Sequence, residues 1–334
     1  MSDTDETVPT TTVSTPTVST TTGAAWTAEP VAVGLVGAGP WAQIMHAPML
    51  AHGPETRLAA IWARNRDAAE ALARTVGTIA VGSYEELLDA SDAVDFAVPP
   101  DVQARLAEQA ARAGKAVMLE KPLGLNLPQA RRLTEAVLTA GVPNLLVLTK
   151  RFQPSTTAFI QAAHELREAG PIRGVLASYL HGGQLPQPAG PGPFATPWRL
   201  EYGALLDLGP HLVDLVDATT GPIRAVRASG DPRTFLTVAT EHAGGTGQLA
   251  LSGTVSLDRS LTRVELFSEH GSLSWDTANI DSDEGWPVLR AELAAAVRYG
   301  TPVRADVARG LEIQIVLDAI ERSLTSRARV TLPS

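Results

Sequence analysis

From Val31 to Leu148, short β-branched and apolar runs alternate with stretches of helical periodicity. Val31 to Val36 reads as a buried strand, Trp41 to Ala51 as a helix, Arg57 to Trp62 as a strand and Asp67 to Thr75 as an Ala-rich helix. The pattern continues with a strand near Ile79 to Val81, a short helix from Tyr84, a strand from Val94 to Val98 and a helix from Val102 to Ala113. Ala116 to Leu119 and Asn144 to Leu148 are the last strands. Between them a helix from Leu127 to Ala140 is stopped by Gly141 and Pro143. Regular alternation of this kind predicts βαβ units and a parallel sheet.

Past a helix at Thr156 to Ala169 the period changes. Val175 to Leu180, Ala225 to Ser229, Phe235 to Thr240, Gln248 to Val255, Arg263 to Phe267 and Ser272 to Trp275 are extended runs, several joined by short Gly-containing or polar turns. Such connections favour antiparallel pairing, so the second half is expected to be α+β. Two final helices, Trp286 to Tyr299 and Ala308 to Leu324, should pack on that sheet or return to the first domain. The expected organisation is a disordered tail over 1–29, a first domain over 30–150 and a second over 151–334. The tail is inferred from its Thr, Ser and Pro content, which offers little burial to offset the entropy of ordering.

With 334 residues the chain exceeds what one core usually serves, and 44% hydrophobic with 19% charged residues is an ordinary globular balance. A net charge of −9 with no basic run gives no reason to attract nucleic acid. The absence of Cys removes thiolate chemistry and disulfides and suits a reducing compartment. No apolar run is long enough to span a membrane, and Asp3, Asp5 and Glu6 stand where a secretory signal is positive, so a cytoplasmic protein is expected. The spacing of His46, His52, His164, His242 and His270 to carboxylates suggests no metal site.

Gly37-Ala38-Gly39-Pro40-Trp41-Ala42 follows the first strand and opens a helix, the G-x-G-x-x-A form of the dinucleotide fingerprint. Gly37 permits the turn, Gly39 admits a pyrophosphate to backbone N–H groups, and Ala42 keeps helix and strand close. The first domain is therefore expected to be a Rossmann domain, with Pro40 and Trp41 also at the cofactor. After the second strand no carboxylate stands ready for a ribose; Arg64 and Asn65 do, with Arg66 beyond. A guanidinium there can grip a 2′-phosphate, which favours NADP(H) over NAD(H).

Three stretches together resemble the glucose-fructose oxidoreductase/inositol dehydrogenase family, the Gfo/Idh/MocA oxidoreductases: Gly37 to Ala42, Glu120-Lys121-Pro122, and Asp207-Leu208-Gly209-Pro210-His211-Leu212-Val213-Asp214. The resemblance spans about Val31 to Leu332 and implies an α/β fold: an N-terminal Rossmann parallel sheet and a C-terminal α+β domain on a large, mostly antiparallel open sheet. It implies hydride transfer between nicotinamide and a sugar, cyclitol or related hydroxy or keto compound, and assigns Lys121, Asp207 and His211 as the catalytic group. It also implies that the open sheet is a homodimer or homotetramer surface.

The residues support that assignment on their own terms. Lys121 follows a parallel strand at the sheet's carboxyl edge and can polarise a substrate oxygen. Asp207, His211 and Asp214 share one face if helical, although Pro210 requires the helix to begin just before it. His211 is the candidate whose residue type ordinarily exchanges a proton near neutral pH and is the expected acid/base, with Asp207 orienting it and Asp214 structural. Pro99, Gln103 and Glu120 are further expected cofactor contacts; the family commonly has His where Gln103 stands. Arg151 with Phe152, His181, Trp198 and Arg199, with the loop from Gly182 to Pro197, are substrate-pocket candidates. Two other functions fit the same domains: a catalytically silent NAD(P)-binding sensor, and a glycosidase that oxidises transiently and returns the hydride.

Overall fold

Runs that are apolar at successive positions become strands buried on both faces. In the computed structural model, which describes residues 11–12, 26–187, 190–191, 194–278 and 280–333, this holds for Val31–Val36 (β2), after the two-residue strand Thr11–Thr12 (β1). Thr56–Trp62 (β3), Ala93–Phe96 (β4), Ala116–Glu120 (β5) and Asn144–Val147 (β6) complete a parallel five-stranded sheet in the order β3-β2-β4-β5-β6. The order reverses at β2: β3 lies on one side and β4 on the other, the switch point where open α/β sheets bind ligands.

Local signals set the connecting helices. Ala47–Ala51 (α1) follows a π-helical turn over Ala42–His46. Arg66–Val76 (α2) is capped by the Asn65 side chain, which accepts from the Ala68 N–H at 3.1 Å, and ends at Gly77 in the left-handed region. Tyr84–Asp89 (α3) is capped by Ser83, Pro100–Arg112 (α4) starts on a proline, and Leu127–Ala140 (α5) runs from an Asn126 cap to Gly141.

The described residues divide into two compact units, one within Ser19–Gln153 and Ser282–Asp318, the other within Met1–Val18, Pro154–Asp281 and Ala319–Ser334. Ser282–Asp318 thus joins the parallel-sheet unit, whereas a boundary at residue 150 assigned it to the C-terminal half. Burial gives the reason, since Leu289, Leu293 and Ala294 of the helix Gly285–Tyr299 lie in one apolar cluster with Val31, Val33 and Leu35. Arg290 of that helix is held by Glu55 at 2.8 Å and by the Met49 carbonyl at 3.0 Å.

The other unit holds Pro154–Ala169 (α6), Gly174–Leu180 (β7), a small pair Pro186–Gln187 (β8) and Gly190–Pro191 (β9), and the helices Pro197–Asp207 (α7) and Gly209–Thr220 (α8). Ala225–Asp231 (β10), Phe235–Glu241 (β11), Thr246–Ser252 (β12), Leu261–Ser268 (β13), Gly271–Asp276 (β14) and Val330–Thr331 (β15) follow. The eight-stranded sheet runs β1-β14-β13-β7-β12-β11-β10-β15, antiparallel except where β7 meets β12 and β1 meets β14. One face buries Val175, Val238, Leu249 and Val264; the other carries Leu176, Thr237, Gln248 and Arg263, as a period of two requires.

Three expectations change. Ile79 to Val81 adds no strand, only a bridge from Ala80 to Ile61, because Ile79 is 61% exposed and nothing buries a longer run. The helix from Trp41 opens in a π turn. Of the segment 1–29, expected to lack structure, Thr11–Thr12 pair with Leu273 and Ser274, and the Trp26 ring packs 5.7 Å from Tyr299; its remaining positions up to 25 lie outside the described residues.

Gly203 bends α7 with φ 64°, and a side-chain carbon there would strike the Pro232 carbonyl oxygen, which accepts the Ala204 N–H at 2.7 Å. Gly203→Ala is expected to cost about 2–3 kcal/mol from strain at positive φ and the forced shift. Urea unfolding measures it, and a loss under about 0.5 kcal/mol would contradict this account of the bend.

Candidate active site

The parallel-sheet unit carries a cavity of about 620 Å³ at the switch point. Val36 to Gly39 at the end of β2, Trp62 to Asn65 at the end of β3 and Ala97 to Pro99 after β4 line it, so all three strands present their carboxyl ends to one space. Gly37 turns there with φ 119°, its N–H donating to the Trp62 carbonyl at 2.8 Å. A side-chain carbon at Gly37 would collide with the Ala97 carbonyl oxygen; one at Gly39 would meet no atom within 4 Å. The turn is therefore closed on its inner side and open on its outer side, where Gly39 and Pro40 are exposed. A pyrophosphate can approach the backbone N–H groups through that opening, so the residues present fit a dinucleotide.

The opposite wall is set by β3. The Trp62 ring lies 5.4 Å from that of Tyr84 at a tilt of 47°, and the Tyr84 hydroxyl donates to the Leu106 carbonyl. Arg64 is exposed on the cavity and, among the described residues, has no ion pair, whereas Arg66 pairs with Glu70 at 2.9 Å. Asn65 spends its side-chain oxygen on the cap of α2.

Glu120 and Lys121 close β5. Gln103 and Glu120, expected as cofactor contacts, have their side chains committed within the protein. The Gln103 amide, fully buried, donates to the Glu120 carbonyl at 2.7 Å and accepts the Glu120 N–H at 2.8 Å. One Glu120 carboxylate oxygen accepts the Trp41 indole N–H at 2.7 Å and lies 3.1 Å from His46 Nε2; the other accepts the Lys121 N–H at 3.0 Å.

Lys150, on the turn Thr149–Phe152 after β6, was missed in the sequence although it lies at the same sheet edge as Lys121. Burial and then the Lys121 charge lower its ammonium to about 8. Arg151 occupies the same turn, while Phe152, expected in the substrate pocket, is fully buried in the apolar core beneath the Arg304 guanidinium.

The open-sheet unit gathers a second set of side chains. Pro210 stands in the first turn of α8, as its missing N–H requires, and Asp207, His211 and Asp214 are 4%, 5% and 1% exposed. Arg199 Nε donates to one Asp207 oxygen at 2.9 Å and Gln184 Nε2 to the other at 3.2 Å. A carboxylate held on both oxygens keeps its orientation. The Arg199 guanidinium lies 4.5 Å from the Trp198 ring and 5.9 Å from Phe194.

Tyr179 is ringed by His211 at 6.0 Å and His181 at 5.9 Å, and His181 by Phe194 at 6.2 Å. Burial, then the Asp207 charge, pushes the Tyr179 hydroxyl above its ordinary value, so it stays a neutral donor. His181, Trp198, Arg199, Asp207 and His211 are thus brought into one cluster, with Tyr179, Gln184 and Phe194 added to it. Gln184 and Phe194 come from the Gly182 to Pro197 loop, four positions of which lie outside the described residues.

Among the described residues no helix is long and apolar enough to cross a membrane. A family model described as an oxidoreductase family with an NAD-binding Rossmann fold matches residues 31–147, and the GFO/IDH/MocA C-terminal domain matches 160–274. The dTDP-3,4-didehydro-2,6-dideoxy-alpha-D-glucose 3-reductase of Streptomyces violaceoruber is 29% identical over 276 residues, 80% of this chain and 78% of the reductase. The inositol 2-dehydrogenase of Rhizobium meliloti (strain 1021) is 32% identical over 139 residues, 41% of this chain and 42% of that enzyme. The crystal structure of GenD2 from gentamicin A biosynthesis in complex with NAD superposes with a TM-score of 0.80 at 24% identity, covering 92% of this chain and 97% of that one, a likeness of fold. With both halves matched in order, this chain is a member of the Gfo/Idh/MocA family of NAD-binding oxidoreductases.

Proposed function

We propose that this oxidoreductase prefers NADP(H) and interconverts a hydroxyl and a keto group on a sugar, cyclitol or related polyhydroxylated ring. The observation that carries the cofactor reading is the cavity with Gly37 to Gly39 on one wall and Arg64 on the other, with no carboxylate where a ribose hydroxyl would be bound. The names of the matched reductase and inositol dehydrogenase support the substrate class.

When bound, the dinucleotide supplies hydride chemistry. The chain's own residues do the rest. Gly37, Gly39, Pro40, Trp41 and Ala42 hold the pyrophosphate end, and Arg64 grips the 2′-phosphate, with Asn65 and Pro99 beside it. Lys121 hydrogen-bonds the reacting oxygen and stabilises the negative charge that grows on it in reduction. His211 gives that oxygen a proton in reduction and removes it in oxidation. Asp207, pinned by Arg199 and Gln184, orients the imidazole. His181, Trp198 and Arg199, with Arg151, select the substrate. The same reading makes the protein a cytoplasmic homodimer or homotetramer that buries the sheet face bearing Leu176, Phe235 and Phe267, which are 47%, 43% and 41% exposed.

Tryptophan-quenching titrations with NADPH and NADH, followed by absorbance at the reduced-nicotinamide band over a panel of keto-sugars and inosoles, test this reading. Saturable binding with turnover supports it. Binding without turnover on any member would favour a silent sensor or a hydride-returning glycosidase.

Arg64→Ala is expected to weaken NADPH binding by about 10- to 100-fold, the worth of charge-assisted hydrogen bonds, and to leave NADH nearly unchanged. Equal losses for the two dinucleotides would remove Arg64 from the 2′-phosphate site.

A further inference from the structure

Asp95 and Glu120 are carboxylates set in otherwise apolar strands, and they are 0% and 7% exposed. Carboxylates are almost never buried this deeply without a partner. His46, fully buried, is that partner: its Nδ1 lies 2.7 Å from Asp95 Oδ2 and its Nε2 lies 3.1 Å from Glu120 Oε1. An imidazole can donate to two carboxylates at once only when both nitrogens carry protons.

Burial alone would lower the His46 pKa; the charge and hydrogen bond of Asp95, then those of Glu120, outweigh it and lift it to about 10. Burial would raise Glu120; the His46 hydrogen bond and charge, followed by the Lys121 charge and the Trp41 indole, hold it below the usual carboxylate range. Asp95 from β4 and Glu120 from β5 are the charged groups that face His46, with Lys121 beyond Glu120. The result is a line of alternating acidic and basic side chains, Asp95, His46, Glu120 and Lys121.

The line is tied to the cofactor turn. Trp41 belongs to the fingerprint, its indole donates to the oxygen of Glu120 that faces His46, and its ring meets the His46 ring edge-on at 6.2 Å. The π turn Ala42–His46 carries the chain from one of these residues to the other.

We propose that His46 is a positioning residue: anchored by Asp95, it locks the Glu120 carboxylate, which fixes the phosphate turn through Trp41 and the Lys121 backbone together. The proposal rests on the reading of this unit as a dinucleotide site. Without the cation, buried Glu120 takes up a proton as pH falls, one of its oxygens stops accepting, and turn and lysine are released from each other.

The test uses the full chain with ¹⁵N-labelled histidine and calorimetric titration of NADPH between pH 5.5 and 7.5. The His46 signal, assigned by its loss in His46→Gln, should show both ring nitrogens protonated at pH 8. His46→Gln should bind NADPH about tenfold more weakly at pH 7.5 and fall progressively further below the wild type toward pH 5.5, a loss in addition to the slope that the 2′-phosphate gives both proteins. A merely structural role would lower affinity or melting temperature without adding that pH-dependent loss.

Should His46→Gln fail to fold, Trp41→Phe replaces it. It deletes the indole hydrogen bond to Glu120 together with part of the ring, and should weaken binding about threefold or more. A neutral His46 at pH 8, or wild-type affinity and pH profile in the folded His46→Gln variant (in Trp41→Phe, wild-type affinity), overturns the proposal while leaving the cofactor site standing. A wild type that binds neither NADPH nor NADH overturns the site reading and the proposal with it.

Discussion

His211→Ala should lower turnover by about 10²- to 10⁴-fold, the usual contribution of a positioned acid/base, while leaving NADPH affinity within about twofold of wild type. The expected split follows from where the residue sits: His211 lies in the open-sheet unit, and the Gly37 to Gly39 turn and Arg64 in the other. On the proposed mechanism, Lys121→Met should cost about 10²- to 10³-fold in turnover, since one donor to the developing oxyanion would be lost. On the same mechanism the double variant should lose less than the product of the two, because groups acting on one oxygen would not be independent. Initial rates at the reduced-nicotinamide band, with a substrate found in the keto-sugar and inosole panel, measure all three. His211→Ala turning over within about threefold of wild type would remove it from the chemistry and transfer attention to Lys150, whose ammonium is lowered to about 8 by burial and the Lys121 charge.

Gly37→Ala should abolish measurable dinucleotide binding, with a loss above about 100-fold, and destabilise the fold by about 2–3 kcal/mol. At φ 119° an L-residue is strained, and the added carbon would push on the Ala97 carbonyl that closes the inner side of the turn. Gly39→Ala is the contrasting case. Its carbon enters open space, so unfolding in urea should shift by less than about 0.5 kcal/mol while affinity falls about tenfold or more, because the carbon stands where a phosphate must approach. If the two variants behave alike in both assays, the turn is not shaped around a ligand in the way its geometry indicates.

Much of this was legible in the residue order. The buried strands β2, β4 and β5 and the helix stop at Gly141 are local signals, because a left-handed glycine acts within one turn of chain. The fingerprint was readable for the same reason, since its meaning lies in a strand, a turn and a helix that are contiguous.

His46 shows what was not legible. It stands 49 positions from Asp95 and 74 from Glu120, and among the seven histidines nothing local sets it apart. A signal was present, however. Asp95 between Val94 and Phe96, and Glu120 after Met118 and Leu119, are charges inside strands that the sheet order buries on both faces. Such charges demand a partner, though residue order does not say which one. Gln103 is a similar case: read as a group facing the cofactor, it bonds instead to the backbone at the end of β5.

Periodicity, turn chemistry and contiguous motifs thus settled the two sheets, the dinucleotide turn and the family, because each depends on interactions between near neighbours in the chain. The partnership of Arg199 and Gln184 with Asp207, the burial of Phe152, the transfer of Ser282–Asp318 to the parallel-sheet unit and the Asp95–His46–Glu120 line were settled by packing. Apart from Arg199 and Asp207, which lie eight positions apart, those contacts join segments far apart in sequence. Their free energy comes from burying apolar surface and from pairing charges that burial has desolvated, which is possible only once the strands and helices have been brought into place.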